Sequence, residues 1–187
     1  MAGENGRGVA GEQGVLEEVD MIIATFSKSF GGVGGCLFAR EGLTNYVNWY
    51  ARSRMFSCAL DPAVTGGLIK VLELATGPDG KAKRERIRSN ADYMRSKLQG
   101  HVDIGSSHSW IIPVIYGDEH ITIPMSNYMQ REGLDTSLMA FPAVPKNQSR
   151  IRLFVTSEHT REQLDKGAEV IIKAAEEFGF LLKERQA

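Results

Sequence analysis

The chain has 187 residues, of which 42% are hydrophobic and 24% are charged, a composition typical of a globular protein of one domain or slightly more. With 22 Lys and Arg against 23 Asp and Glu, its net charge of −1 argues against a nucleic-acid-binding or membrane-surface protein, which usually carries a basic excess. No apolar run approaches the roughly 18 residues of a spanning helix, and the first residues, MAGENGRGVAGEQG, lack the apolar core of a secretory signal.

The first predicted elements are two short apolar runs and a helix. Val19–Thr25 and Gly35–Ala39 are predicted to be buried strands because each is a short, nearly continuous apolar run. Asp61 followed by Pro62 is typical of a helix start, with Asp as the N-cap and Pro at the first helical position. The helix predicted over about 61–75 is mostly apolar, so we expect much of its surface to be buried.

Beyond residue 80 helices and strands alternate, which predicts a layered α/β or α+β arrangement. The predicted elements are a helix at 81–99, a strand at 110–116, a short helix at 125–131, strands at 134–141 and 150–156, and a helix from Thr160 to Phe178. Thr160 with Gln163 fits a capping box, and Pro113 marks its strand as an edge or a bulge. The segment GPDG at 77–80 indicates a boundary, so the predicted units are 1–79 and 80–187.

The cysteines and histidines indicate neither a disulfide framework nor a metal site. Cys36 and Cys58 form no CxxC pair, and the four histidines show no HExxH pattern. We therefore expect a chain without metal, in the reduced environment of the cytoplasm.

Two other motifs are interpreted as structural. GRGVAG at Gly6–Gly11 matches GxGxxG, but a dinucleotide site needs a strand before the motif, and only five residues precede it. The helix predicted at 81–99 is rich in Lys and Arg, and Tyr93 is the single aromatic residue among its charges. A solvated helix face is the favoured interpretation, so no nucleic-acid partner is expected.

Lys28 lies in a segment whose composition favours cofactor chemistry. The sequence TFSKSFGG at Thr25–Gly32 places a lysine shortly after a strand, between hydroxyl side chains and ahead of glycines. Hydroxyls and the backbone N–H groups of a glycine-rich loop form a phosphate cradle, and a partly desolvated lysine beside such a cradle can form a Schiff base. The alternative is an ordinary solvated loop lysine.

Arg150 and Arg152 alternate along a predicted strand and should therefore face the same side. Two arginines on one face add little to a core, and one of them can bind a carboxylate through two parallel hydrogen bonds. The alternative is a salt bridge to a nearby acid.

Four segments, taken together and in order, resemble the α-oxoamine synthases, which are fold-type-I pyridoxal-phosphate (PLP) enzymes. They are GENGRGVAGEQG, DMIIATFSKSFGGVGG, MFSCALDPA and PAVPKNQSRIRLFVTSEHT. The resemblance implies an α/β fold, made of the distal part of a fold-type-I large domain followed by a C-terminal α+β small domain. It also implies PLP as the cofactor.

The same resemblance implies a role for five residues. Lys28 would hold PLP covalently and later remove the α-proton of the substrate, while Thr25 and Ser27 would bind the PLP phosphate. Ser57 would approach that phosphate across a homodimer interface, and Arg152 would bind the carboxylate of the amino acid. The implied reaction is the decarboxylative condensation of an amino acid with an acyl-CoA thioester to give an α-aminoketone.

The resemblance covers the distal half of the family, whose members have about twice this length. We therefore expect activity to require the other half. Two alternatives stay open: a non-catalytic fragment or scaffold subunit of such an enzyme, and another fold-type-I enzyme such as an aminotransferase or a lyase.

Overall fold

A computed structural model describes residues 2–182, apart from the side chain of Glu4. The chain divides into two compact units, Met1–Arg84 and Glu85–Ala187. The strands are β1 (Met21–Thr25), β2 (Gly35–Ala39), β3 (Ile111–Gly117), β4 (Ser137–Met139) and β5 (Ser149–Phe154). The α-helices are α1 (Gly8–Glu12), α2 (Glu41–Tyr50), α3 (Arg52–Met55), α4 (Pro62–Thr76), α5 (Pro78–Leu98), α6 (Glu119–Arg131) and α7 (Arg161–Glu177).

The two strands of the first unit form an antiparallel hairpin, in register from the pair Met21–Ala39 to the pair Thr25–Gly35. Their predicted positions are confirmed, with β1 starting two residues later than expected. The prediction that they are buried is wrong, because Ile23 is 77% and Phe38 59% exposed. Ile23 pairs with Leu37 and Phe38 with Ile22, so the two exposed side chains lie on opposite faces, and neither face of the hairpin is fully covered.

Helix α4 begins as predicted. The carboxylate of Asp61 accepts hydrogen bonds from the backbone N–H groups of Ala63 (2.7 Å) and Val64 (3.3 Å). The expected burial of this helix is only partly found, since Leu68 is buried whereas Ile69 is 55% exposed. The apolar composition of α4 therefore predicts more burial than the structure shows.

Helices α1, α2 and α3 are absent from the sequence predictions. In α2 several residues are aromatic or β-branched and have weak helix propensity, so propensity alone does not predict this helix. Its identifiable signals are Glu41 in the first turn and the spacing of Tyr46 and Tyr50, whose rings stack 4.7 Å apart on successive turns.

The second unit is built on a three-stranded antiparallel sheet in the order β3-β5-β4. Pro113 lies in β3, an edge strand, where a residue without an N–H group is tolerated. The register of β3 against β5 shifts between Ile115 and Gly117. The predicted strand at 134–141 shortens to β4, three residues long.

The hydrophobic core of the second unit lies between one face of this sheet and helices α5, α6 and α7. Apolar residues at helical spacing on α5 and α7 are buried there, among them Ala91, Met94, Leu98, Leu164, Ala168, Ile171 and Ala175. Asn90, only 5% exposed, donates to the carbonyl oxygens of Thr156 and His159, both at 3.0 Å. This bond ties α5 to the loop that precedes α7.

Local chemistry decides where α5, α6 and α7 begin. The capping box of Thr160 and Gln163 is present, as predicted. Helix α6 begins six residues before its predicted start, because Asp118 caps it and the helix tolerates Pro124 in its interior. Helix α5 begins at Pro78, so the segment GPDG contains a helix start rather than a loop.

Candidate functional site

The lysine-bearing segment is the loop that joins β1 to β2. Its ends are held by a hydrogen bond from the N–H of Phe26 to the carbonyl of Gly34 (2.9 Å). The N–H of Gly31 donates to the carbonyl of Lys28, also at 2.9 Å, which folds the loop back behind the lysine. The hairpin therefore positions Lys28 three residues beyond the end of β1.

Three side chains predicted to bind a cofactor meet at this point. The hydroxyl oxygens of Thr25 and Ser27 lie 2.9 Å apart, and the ammonium nitrogen of Lys28 donates to Ser27 Oγ at 3.5 Å. The backbone N–H of Ser27 also donates to Thr25 Oγ1, at 3.3 Å. We call Thr25, Ser27 and Lys28 the hydroxyl–lysine cluster.

Glycines let this loop approach its neighbours closely. A Cβ at Gly34, whose φ is +96°, would lie 2.5 Å from a methyl carbon of Leu60. A Cβ at Gly32 would lie 2.8 Å from a methyl carbon of Leu68 in α4. A side chain at either position would therefore displace the leucine methyl, and at Gly34 the positive φ also favours glycine.

The hydroxyl–lysine cluster is open to solvent. Thr25, Ser27 and Lys28 are all exposed. The expectation that Lys28 is partly desolvated is therefore wrong for this chain, because the hairpin contributes no cover over the lysine side chain. The cluster nevertheless provides two hydroxyls that bind oxyanions and a primary amine that reacts with carbonyls.

Ser57 is positioned differently from the cluster. It follows α3, is exposed, and its hydroxyl donates to the carbonyl of Arg54 at 3.3 Å. Within residues 2–182, no hydrogen bond joins it to Thr25, Ser27 or Lys28. The structure thus brings together three of the predicted cofactor residues and leaves Ser57 apart from them.

The two arginines of β5 face the same side, as predicted, opposite the buried Ile151. The guanidinium of Arg150 donates to the backbone carbonyl of Gln148 at 2.9 Å and to the side-chain oxygen of Gln148 at 3.1 Å. Arg152 instead has a buried Nε with no hydrogen-bond partner among the described residues. A buried donor without an acceptor costs about 1–3 kcal/mol, so Arg152 is the arginine that has a donor left for an anionic ligand.

Sequence reasoning missed Phe154 as a neighbour of Arg152. The guanidinium carbon of Arg152 lies 5.4 Å from the centre of the Phe154 ring. The signal was available, because Phe154 is two residues beyond Arg152 on the same strand and must share its face.

The described part of the chain has neither a metal-binding cluster nor a membrane-spanning helix. No group of three or more His, Cys, Asp or Glu side chains there is arranged to hold a metal ion. Nor does any helix within residues 2–182 have the length and apolar character needed to cross a membrane.

Comparison with protein families shows a match over almost the whole chain. The profile of the family "Aminotransferase class I and II" matches residues 3–171. Among curated proteins, the 8-amino-7-oxononanoate synthase of Petrotoga mobilis is 38% identical over 87% of this chain and 41% of its own length. The 2-amino-3-ketobutyrate coenzyme A ligase of Escherichia coli K12 is 34% identical over 96% of this chain and 45% of its own length.

Solved structures of related enzymes also match most of this chain. A serine palmitoyltransferase from S. paucimobilis, with a bound PLP–myriocin aldimine, superposes with a TM-score of 0.87 at 27% identity. The match covers 95% of this chain and 45% of that enzyme. The chain therefore spans less than half the length of each of these three proteins.

Proposed function

Because the chain belongs to the class I and II aminotransferase family, we propose that it is the distal part of a PLP-dependent α-oxoamine synthase. The resemblance to α-oxoamine synthases that the motifs indicate is confirmed by the relatives, which include an oxononanoate synthase and a ketobutyrate ligase. The proposed reaction joins an amino acid to an acyl-CoA thioester, with loss of CO₂, to give an α-aminoketone. We assign residues 1–79 to the cofactor-binding domain and residues 80–187 to the small domain.

The observation that carries this proposal is the hydroxyl–lysine cluster. An aromatic aldehyde bearing a phosphate requires a primary amine beside oxyanion donors, and Lys28 lies 3.5 Å from the hydroxyl of Ser27, which contacts Thr25. The residues present therefore fit PLP. Thr25 and Ser27 would donate to the phosphate, and the amine of Lys28 would bind the aldehyde.

When bound, PLP supplies an electron sink that stabilises negative charge at the α-carbon of an amino acid. The chain's own residues would then do two things. The amine of Lys28 would accept the α-proton as a general base. The guanidinium of Arg152 would orient the substrate by binding its carboxylate, for which it has a buried Nε–H without another acceptor.

We further propose a homodimer in which Ser57 reaches the cofactor phosphate of the partner. Its hydroxyl is exposed and makes only a local bond to the Arg54 carbonyl, so it can turn towards a second chain. A cytoplasmic location fits Cys36 and Cys58, both of which are free thiols.

One observation favours a second candidate, a non-catalytic scaffold subunit. Lys28 is exposed in this chain, and an amine in water lacks the dry surroundings in which a catalytic lysine acts. Under this alternative the fold and the dimer contacts are kept without turnover.

The test is a CoA-release assay on two proteins. One is this chain, and the other is this chain fused behind the N-terminal part of the Petrotoga mobilis relative that it does not match. We expect the fusion to release free CoA thiol only when PLP, an amino acid and an acyl-CoA are all present, and Lys28→Ala to abolish the release. Formation of a keto acid without acyl-CoA would instead identify an aminotransferase. A folded fusion inactive in both assays would support the scaffold.

A further inference from the structure

Arg152 lies on the open face of β5, and its buried Nε has no hydrogen-bond partner among the described residues. Its register partners are Pro113 on β3 and Ser137 on β4, and residues paired in this way share one face of the sheet. A proline ring contributes no polar group, and no ion pair with a carboxylate is found for Arg152 within residues 2–182. Hydrogen bonds and ion pairs within residues 2–182 therefore do not fix the position of the Arg152 guanidinium.

The side chain in a position to hold it is Phe154. The ring lies beside the guanidinium, with 5.4 Å between its centre and the guanidinium carbon, and an aromatic face attracts a cation at this range. Arg150 shows the contrasting arrangement on the same strand, since Gln148 accepts two of its hydrogen bonds. A phenylalanine ring accepts no in-plane hydrogen bond from the guanidinium N–H groups, whereas a glutamine side chain does.

We propose that Phe154 is a positioning residue that fixes the Arg152 guanidinium while leaving its N–H donors available to a carboxylate. This inference rests on the proposed function, in which Arg152 binds the carboxylate of the substrate. The aromatic contact restricts the rotation of a long side chain before the ligand arrives, so less conformational entropy is lost on binding. A polar residue at position 154 would restrict the arginine equally well but would compete with the ligand for its donors.

The first test measures the arginine side chain without any cofactor or substrate. In the ¹⁵N-labelled full chain, the Nε–Hε signals of Arg150 and Arg152 are assigned by their loss in Arg150→Lys and Arg152→Lys. We expect Phe154→Leu to lower the heteronuclear NOE of Arg152 Nε and to remove the ring-current shift of its protons. Phe154→Tyr should retain both, and the Arg150 signal should not change.

A matched control is available in the same unit. Phe141 has Lys146 Nζ 5.4 Å from its ring centre and is exposed to a similar degree as Phe154. Phe141→Leu should therefore remove a cation–π contact without affecting the Arg152 signal. An unchanged NOE and shift in Phe154→Leu would overturn the proposal.

The second test separates this proposal from the proposed function. Acetate is titrated as the carboxylate probe, and the shift of the Arg152 Nε–Hε signal reports binding. We expect Phe154→Leu to weaken acetate binding about two- to five-fold, the size of an exposed cation–π contact, while Phe154→Tyr binds as the wild type does. If Arg152 does not respond to acetate in the wild type, its assigned role in the proposed function fails, and the NOE comparison still decides the role of Phe154. If Arg152 responds equally in Phe154→Leu and the wild type, only the positioning role fails.

Discussion

At the scale of single residues, Ser27 is the centre of the hydroxyl–lysine cluster. Its Oγ lies 2.9 Å from the hydroxyl of Thr25 and accepts from Lys28 Nζ at 3.5 Å. It therefore connects the expected phosphate donors to the amine, although all three side chains are exposed. Removing this one oxygen should affect cofactor binding more than removing a neighbouring hydroxyl.

We expect Ser27→Ala to weaken PLP binding by about two- to ten-fold, the equivalent of one lost hydrogen bond of about 0.5–1.5 kcal/mol. The measurement is an absorbance titration of the chain with PLP. Ser29→Ala is the matched control, because Ser29 lies in the same exposed loop and no hydrogen bond joins it to the cluster among the described residues. Equal affinities for the Ser27→Ala and Ser29→Ala chains would show that the Ser27 hydroxyl does not bind the phosphate.

At the scale of elements, α7 begins at a complete capping box. The N–H of Gln163 donates to the hydroxyl of Thr160 at 3.3 Å, and the N–H of Thr160 donates to the side-chain oxygen of Gln163 at 3.0 Å. We expect Thr160→Ala to lower the free energy of unfolding by about 1 kcal/mol, and Thr160→Ser, which keeps the hydroxyl, to have little effect. Urea denaturation of the full chain measures both, and an equal loss in the two variants would contradict this account of the helix start.

Helices α5 and α7 are also joined by a polar cluster on their exposed surfaces. Asp165 Oδ1 accepts from the hydroxyl of Tyr93 at 2.7 Å and from Lys97 Nζ at 2.8 Å. The hydrogen bonds from Lys97 and then Tyr93 lower the pKa of Asp165, and the hydrogen bond to Asp165 raises the pKa of Lys97. The cluster therefore favours the charged forms of both groups.

The sign of the resulting pH dependence follows from these two directions. A carboxyl whose pKa is lowered on folding adds stability above its unfolded value of about 3.9, and loses it as the pH falls through the folded pKa. The raised pKa of Lys97 adds stability below about 10.4, which is lost as the pH rises through the folded value. We expect Asp165→Asn to reduce the fall in urea midpoint between pH 6 and pH 3. Glu176→Gln, at another exposed acid of α7, is the control. An identical fall in urea midpoint between pH 6 and pH 3 in both variants would show that Asp165 does not contribute to the acid sensitivity.

At the scale of the whole molecule, burial is very unequal between the two units. Among the described residues of the first unit only Leu68 and Ala75 are buried hydrophobic residues, whereas the second unit has a continuous core around Ile151. Large apolar side chains such as Trp49 (74%) and Phe56 (85%) are exposed in the first unit. Most of the stability of this chain should therefore come from the second unit.

A pair of identical substitutions tests this inequality. We expect Ile151→Ala, at a residue that is 0% exposed, to cost about 2–5 kcal/mol. Ile23→Ala, at a residue that is 77% exposed, should change the free energy of unfolding by less than about 0.5 kcal/mol. Chemical denaturation of both variants provides the comparison, and similar losses would show that the hairpin is as well packed as the core.

The sequence predicted those features that depend on local chemistry. The cap at Asp61, the capping box of α7, the shared face of Arg150 and Arg152 and the edge position of Pro113 each follow from a few neighbouring residues. Burial and helix extent were predicted less well. The exposure of Ile23 depends on what packs against that face of the hairpin, and the start of α6 depends on a cap at Asp118 that outweighs Pro124. Such outcomes are decided by packing partners or by competing local effects that a periodicity argument does not weigh.

In the candidate site, too, local sequence predicted some features and packing decided others. The proximity of Thr25, Ser27 and Lys28 follows from their closeness in sequence, so it was predictable. The shared face of Arg152 and Phe154 was also predictable, because they are two residues apart on one strand. The solvent exposure of Lys28 was not predictable, because it depends on what surrounds the side chain.

Covalent trapping with PLP shows whether Lys28 is the cofactor lysine. The chain is incubated with PLP and reduced with borohydride, and the modified lysine is mapped by mass spectrometry with Lys28→Ala as the control. We expect a selective label on Lys28 that is lost in the control. A label that is absent both from this chain and from its fusion to the N-terminal part of the Petrotoga mobilis relative, or one scattered equally over other lysines, would show that Lys28 is not the cofactor lysine.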